Sequence, residues 1–144
     1  MPYYALEPEV AGHLGDHAVV DRSVHPPVVE RLHYEFDGWL GDDLLESFPC
    51  FIVTKGLRKR LGEAGLSGCQ FDGVEVSKSD LFEEIHPDRG LPEFVWLKAV
   101  GRAGIDDVGL SPDHRLVVSQ RALEILKTFK LDHCDTEEYE VRAR

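Results

Sequence analysis

The sequence predicts an α+β protein with a single domain, in which a mixed sheet carries two similar strand-helix-strand units. The first observation is an internal similarity, because the segments at about 51–76 and 116–141 align without a gap at a separation of 65 residues. The second is size: 144 residues with 42% hydrophobic content suit one compact core and are too few for two large domains. We therefore expect residues 1–144 to form one α+β domain with two internally similar halves.

The aligned segments share six identities in 26 paired positions. The identical pairs are Val53 with Val118, Leu61 with Leu126, Leu66 with Leu131, Cys69 with Cys134, Glu75 with Glu140, and Val76 with Val141. Most of these positions are apolar and suit a buried core, so the similarity predicts architecture and says nothing about catalysis. An internal duplication and the separate use of one common structural pattern both account for it.

The first unit has a complete set of strand and helix signals. Cys50–Val53 is a short continuous apolar run, which is typical of a strand buried on both faces. Thr54 is placed as an N-cap, whose hydroxyl is expected to accept a hydrogen bond from the first helical turn. Leu57 and Leu61 recur at helical spacing, and Gly65 ends the helix as a C′ glycine.

The second unit repeats this plan. Leu116–Val118 is predicted to be a strand, Ser119 the cap of a helix, and the residues near Tyr139 and Val141 the outgoing strand. The corresponding outgoing strand of the first unit spans residues 69–76, with a break or bulge in its middle.

Outside the units, the pattern predicts further strands and loops. Tyr3–Leu6 is expected to form an edge strand, the stretch from there to Pro27 a loop, and Val28–Phe36 a strand. The glycines and proline of GWLGDDLLESFP predict a loop with one helical turn, and Phe94–Val100 reads as a central strand.

The charge balance narrows the range of partners. The chain has 27 Asp and Glu against 16 Lys and Arg, a net charge of -11, which opposes binding to nucleic-acid phosphates and to anionic membranes. We therefore expect a basic or mixed-charge protein partner, with no nucleic acid and no membrane. The N-terminus has no signal-peptide pattern and no apolar run approaches the roughly 20 residues of a membrane span, so the prediction is a soluble cytoplasmic protein.

No motif in the sequence carries catalytic or cofactor chemistry. The three cysteines, Cys50, Cys69 and Cys134, lack metal-ligand spacing, and the last two follow predicted helix C-termini, where the helix dipole disfavours a thiolate. His13 and His17 lie four residues apart, but the glycines around them favour a solvated loop over a metal-binding helix. Neither glycine-rich phosphate-binding pattern is present. We predict no catalytic residues, no metal site and no cofactor.

The segment FDGWLGDDLLESF is the best candidate for a recognition surface, because an aromatic side chain and leucines alternate with acidic groups. Such a surface suits a basic protein, since charge speeds encounter and an aromatic anchor supplies affinity. The predicted protein-binding residues are Trp39, Asp42, Asp43 and Glu46. The alternative is a loop in which Trp39 fills the core.

Three stretches of the chain resemble a group of small bacterial proteins, many uncharacterised, that includes immunity proteins of polymorphic toxin systems. These stretches read WLGDDLLESFPCFIVT, LPEFVWLK and RLVVSQRALEILKTFKLDH. The resemblance implies an α+β cytoplasmic protein that neutralises a toxin by binding it, without catalytic residues. It favours an acidic protein that occludes the active site of a basic cognate toxin.

Two other functions remain open. One is a small enzyme or a small-molecule-binding domain, whose site would combine His33, His86 or His114 with a carboxylate from a distant part of the chain. The other is a self-associating structural module, a homo-oligomer joined through an exposed apolar strand edge.

Overall fold

The computed structural model describes residues 2–140, which form fourteen strands and three helices within that range. The strands are β1 (Tyr3–Glu7), β2 (Gly12–Leu14), β3 (Val19–Asp21), β4 (Val28–Arg31), β5 (His33–Phe36), β6 (Leu44–Ser47), β7 (Cys50–Thr54), β8 (Cys69–Asp72), β9 (Glu75–Lys78), β10 (Phe94–Ala99), β11 (Gly101–Arg102), β12 (Val108–Leu110), β13 (Leu116–Ser119) and β14 (Asp135–Tyr139). The helices are α1 (Lys55–Glu63), α2 (Asp80–Ile85) and α3 (Gln120–Leu126). The predicted α+β class is confirmed.

The strands form four sheets. The largest has the order β11-β12-β13-β1-β14, and the second has the order β6-β7-β10-β8. Smaller sheets contain β2-β5-β9 and β3-β4. Most neighbours are antiparallel, while β5 with β9 and β11 with β12 are parallel, so two of the sheets are mixed.

The two predicted strand-helix-strand units are present, and each belongs to its own sheet. The first is β7-α1-β8 and the second is β13-α3-β14. In each unit the strands before and after the helix flank one shared antiparallel strand, which is β10 in the first and β1 in the second. The first strand of each unit also pairs with the strand that precedes it in the chain, β6 or β12. The two units therefore have the same strand order, and α1 packs against α3.

The four-stranded sheet lies between two hydrophobic clusters. All five residues of β7 are buried, as the continuous apolar run predicted. Phe51 and Val53 face the cluster that includes α1 and α3, whereas Cys50 and Ile52 face the other cluster. The large side chains of that second cluster are Tyr34, Phe36, Phe82, Phe94 and Trp96.

Asp43 connects the start of α1 to the segment that follows α3. One carboxylate oxygen accepts the Thr54 hydroxyl at 2.7 Å, and the other accepts the Lys130 amide at 2.7 Å. Thr54 is the N-cap residue of α1, as predicted, but its side chain does not cap the helix amides. The predicted role of its hydroxyl is therefore wrong, because the hydroxyl donates to Asp43 instead.

Asp107 makes the reciprocal connection, from the start of α3 to the segment that follows α1. One of its oxygens accepts the Ser119 hydroxyl at 2.7 Å, while the other accepts the Ser67 amide at 3.0 Å and Arg121 at 3.0 Å. Ser119 also accepts the Ala122 amide, which confirms it as the cap of α3. Each aspartate thus ties the strand-helix junction of one unit to the chain beyond the helix of the other.

Several strand and loop predictions are corrected by long-range pairing. Tyr3–Leu6 begins β1, which lies inside a sheet and not at its edge, because β13 and β14 pair with its two sides. The predicted loop up to Pro27 contains β2 and β3, and GWLGDDLLESFP contains β6 instead of a helical turn. Leu32 divides the predicted strand Val28–Phe36 into β4 and β5. The position of β1 depends on strands that are distant in the sequence, which no local pattern reveals. In contrast, β3 with β4 and β6 with β7 are local hairpins, whose short strands the glycine- and proline-rich composition did not indicate.

Other predictions are refined or confirmed. The outgoing strand of the first unit is two strands, β8 and β9, which belong to different sheets. β10 lies between β7 and β8, so the predicted central strand is confirmed. Gly65 has a φ of 63°, as its C′ position in the helix end requires. Val141 lies outside the described residues.

The equivalence of the two sheets predicts that a circular permutant will fold. Tyr3 lies opposite Tyr139 in the β1-β14 pair, so a short Gly-Ser linker can join the C-terminus to the N-terminus. With new termini in the exposed segment near Ser23, β1 then follows β14 in the chain. We expect the free energy of unfolding to change by about 1 kcal/mol or less, measured by urea denaturation. A permutant opened within buried β7 is the control and should not fold; equal stability of both would contradict the prediction.

The hydrogen bonds to Asp107 predict a pH-dependent contribution to stability. The Arg121 guanidinium, with the Ser119 hydroxyl and the Ser67 amide, lowers the pKa of Asp107 from 3.8 to about 2. The contribution is therefore fully present above about pH 4 and is lost as the pH falls to about 2. We expect Asp107→Asn to lower the free energy of unfolding by about 1–2 kcal/mol near neutral pH.

Urea denaturation across that pH range measures the effect. The difference between wild type and Asp107→Asn should shrink as the pH approaches about 2. Asp16→Asn is the control, since Asp16 is exposed and makes no hydrogen bond through its carboxylate within residues 2–140. A difference that stays constant with pH would rule out the assigned role of the Asp107 charge.

Candidate functional site

An open groove of about 570 Å³ lies where β1 ends, between the segment that follows β1, the loop before β6 and the turn between β6 and β7. Its apolar side chains are unusually exposed: Val10 by 67%, Leu40 by 65% and Phe48 by 47%. Five carboxylates also line it: Glu7, Glu9, Glu46, Asp113 and Asp135. Arg115 lines it as well and lies 3.5 Å from the Glu137 carboxylate of β14. The groove thus combines apolar contact area with an excess of negative charge.

Two of these carboxylates are occupied by hydrogen bonds within the protein. Glu9 is buried and accepts the backbone amides of Leu40 at 2.7 Å and Asp42 at 3.4 Å, which holds the loop before β6. Asp113 accepts the hydroxyl of Ser111. The carboxylates that remain available are those of Glu7, Glu46 and Asp135.

Glu46 carries an unbalanced negative charge. Burial raises its pKa, and the nearby charge of Glu7 raises it further. Within the part of the chain that the structure describes, no side chain or amide donates a hydrogen bond to this carboxylate. A cation placed between Glu46 and Glu7 would relieve their repulsion and compensate for the burial of Glu46.

Asp42, one of the predicted binding residues, is fully buried and supports the groove from inside. Its carboxylate accepts the backbone amides of Asp132 at 3.1 Å and His133 at 2.8 Å, and it lies 3.1 Å from the His133 ring nitrogen Nδ1. These bonds tie the loop before β6 to the segment after α3. The Asp42 carboxylate is consequently not accessible to a partner.

Trp39 also acts mainly within the fold. Its ring meets Phe94 edge-on at 6.0 Å between centroids, and the Arg89 guanidinium lies 4.9 Å above it. The indole nitrogen donates to the backbone oxygen of Asp42 at 2.9 Å. Half-buried in this way, Trp39 corresponds to the alternative in which it fills the core.

The four predicted binding residues therefore do not form one surface. Glu46 lies in the groove, Asp42 and Asp43 accept hydrogen bonds that hold the fold together, and Trp39 packs on the second cluster. Their role in protein binding stays a prediction. Phe48 belongs to the predicted recognition segment but was not named as a binding residue. Sequence reasoning missed the groove residues Glu7, Val10 and Asp135, because they come from segments that are distant in the sequence and only their shared exposure marks them.

The alternative function requires a histidine beside a carboxylate, and His33 is in such a position. This buried residue lies 3.9 Å from Glu75, and His17 contacts the same carboxylate at 2.7 Å. The His33 Nδ1 atom accepts the His17 amide, so Nε2 carries the proton and donates to Ser77 at 2.7 Å. Both ring nitrogens are thus occupied, which leaves no lone pair for a metal or a reacting proton.

The other histidines and the cysteines are placed differently. His86 packs on the Phe82 ring, and His114 lines the groove with its ring edge-on to His25. Besides His17, His33 and Glu75, a second group of possible metal ligands consists of Glu9, Asp42 and His133. Both carboxylates of this group accept backbone amides, and the His133 ring lies 3.1 Å from the Asp42 carboxylate.

All three thiols are free, and none is in the ionised form that a nucleophile needs. Burial raises the pKa of Cys50 and Cys134 to about 12 and that of Cys69 to about 11. These values are typical of structural thiols.

Comparison with protein-family models, curated proteins and solved structures found no match to this chain. Among residues 2–140 the longest helix, α1, has nine residues, and no helix there is long and apolar enough to cross a membrane.

Replacement of Glu46 or Glu9 by Gln is expected to change the free energy of unfolding in opposite directions. Glu46→Gln should raise the free energy of unfolding near neutral pH, because it removes a charge whose pKa the fold has raised. Glu9→Gln should lower it by about 1–3 kcal/mol, since an amide cannot accept from both backbone donors as the carboxylate does.

Urea denaturation of the two variants measures both effects. The gain from Glu46→Gln should disappear as the pH falls and Glu46 becomes protonated in the wild type. A loss of stability in Glu46→Gln would show that its carboxylate is needed by the fold.

Proposed function

We propose that this chain is a non-enzymatic acidic binding protein, whose groove takes a Lys- or Arg-bearing segment of a basic protein partner. The observation that carries the proposal is the Glu46 carboxylate, which lies partly buried beside Glu7 and has exposed apolar side chains around it. Among the described residues it forms no ion pair, since the arginine of the groove, Arg115, pairs with Glu137 instead. A partner's cation supplies the charge that this site lacks.

The remaining features of the groove suit protein recognition. Val10, Leu40 and Phe48 supply apolar contact area, which is the main source of affinity in most protein interfaces. The net charge of -11 favours fast encounter with a basic surface. The openness of the groove fits a protein segment better than an enclosed small molecule.

The immunity-type role is the specific form of this proposal. The resemblance of the segments around Trp39 and Ser119 to bacterial immunity proteins supports it. Binding of this type blocks a basic toxin's active site by occlusion, so it requires no reacting group and no cofactor. An immunity-type role also implies that the protein is located in the bacterial cytoplasm, together with its toxin.

The charge of the groove opposes self-association through the same surface. Two copies that meet at their grooves bring Glu7, Glu46 and Asp135 of one against the same residues of the other. A homo-oligomer therefore has to use a different surface.

A library of short random peptides displayed on phage tests the groove directly. The library is panned on wild type, and each selected peptide is synthesised and titrated against wild type, Glu46→Gln and Glu124→Gln. We expect basic sequences whose affinity falls at least about tenfold in Glu46→Gln and at high salt, and much less in Glu124→Gln.

Glu124→Gln is the matched control, since it makes the same chemical change on an exposed residue of α3 that lies outside the groove. Because Glu46→Gln is expected to be at least as stable as wild type, a loss of binding cannot be ascribed to unfolding. Peptides without basic residues, or basic peptides that bind all three proteins equally, would refute the proposal.

A further inference from the structure

β14 is an open edge of the five-stranded sheet. Within residues 2–140 it pairs with β1 alone, and its first four residues are exposed. An edge strand of this kind presents alternate backbone N–H and C=O groups to solvent, where an extended segment of another protein can pair with them.

The charges on β14 determine which segment fits. All of its ionisable side chains that carry charge near neutral pH are carboxylates, from Asp135, Glu137 and Glu138. Glu137 lies 3.5 Å from the Arg115 guanidinium, whereas Asp135 and Glu138 form no ion pair among the described residues. Like charges on directly paired strands are destabilising, whereas opposite charges stabilise the pair. A second copy of β14 is therefore disfavoured as a partner, and a strand with Lys or Arg is favoured.

The open edge is continuous with the groove. Asp135 is the first residue of β14 and also lines the groove, and Glu7 lies directly opposite it in β1. An added strand would lie about 10 Å from β1, because β14 is between them. A segment that continues past Asp135 therefore has to turn across the end of β14 to reach Glu7 and Glu46, which line the same groove as Asp135. Backbone pairing and the charge site can thus be used by the same segment.

We propose that the partner binds by strand addition: an extended segment with alternating Lys or Arg residues pairs with β14 as a sixth strand, and its end places a cation at Glu7 and Glu46. This inference rests on the proposed function, because it specifies how the basic segment is held. It adds that backbone hydrogen bonds, as well as charge, contribute to binding.

A tethered strand provides the test. A peptide of alternating Lys and Val is fused after Arg144 through a flexible Gly-Ser linker, long enough to allow either strand direction. The matched control is the same fusion with Glu in place of Lys. Amide hydrogen exchange, followed residue by residue by NMR, reports protection along β14.

We expect alternate amides of β14 to exchange at least about tenfold more slowly in the Lys-Val fusion than in the Glu-Val fusion. Glu138→Lys should reduce the protection by Lys-Val, and a high salt concentration should do the same. Absence of protection in the Lys-Val fusion, or equal protection by both fusions, would overturn the inference.

The hydrogen-exchange result for β14 can be distinguished from the peptide-binding result that tests the proposed function. Selected basic peptides that depend on Glu46, together with an unprotected β14, would refute strand addition and leave groove binding in place. Protection of β14 without any Glu46-dependent peptide would refute the groove as the binding site and show that the edge takes basic strands by itself.

Discussion

The reciprocal hydrogen bonds of Asp43 and Asp107 fix the two halves of this protein against each other. Each carboxylate joins the strand-helix junction of one unit to the chain beyond the helix of the other. The helices α1 and α3 are consequently held side by side over the two larger sheets. The segment after α3 is fixed in the same way, and the buried Asp42 carboxylate accepts the backbone amide of His133, a residue of this segment that lines the groove.

Acidic residues have two different roles at the groove: some stabilise the fold, and one lacks a stabilising hydrogen bond. Glu9 and Asp42 are buried, and backbone amides satisfy their carboxylates, so their charges stabilise the loops that they join. Glu46 lies close to them, yet within the described residues it accepts no hydrogen bond and its pKa is raised by burial and by Glu7. An unfavourable interaction that the free protein retains at an exposed groove is characteristic of a binding site.

The sequence was most informative where local patterns decide structure. The buried strand β7, the cap at Ser119 and the C′ glycine Gly65 follow from apolar runs and helix-end chemistry, and all three are present. Thr54 shows the limit of such reasoning, since its hydroxyl binds an aspartate eleven residues earlier in the chain. Glu46 was predicted as a binding residue because its segment mixes acidic and apolar residues. Of the four predicted binding residues, it is the one that lines the groove.

The sequence by itself determined the α+β class and the two strand-helix-strand units, because turn chemistry, helix capping and hydrophobic periodicity act over a few residues. Only the tertiary structure decided that β1, from the N-terminal end of the described chain, lies inside a sheet between the two strands of the second unit. It also decided that β14 forms an edge of that sheet, which carries acidic side chains. It also decided which carboxylates are satisfied and which are exposed. These properties depend on contacts between segments up to 136 residues apart, as in the Tyr3–Tyr139 pair. The free energy of such contacts has no local signature in the sequence.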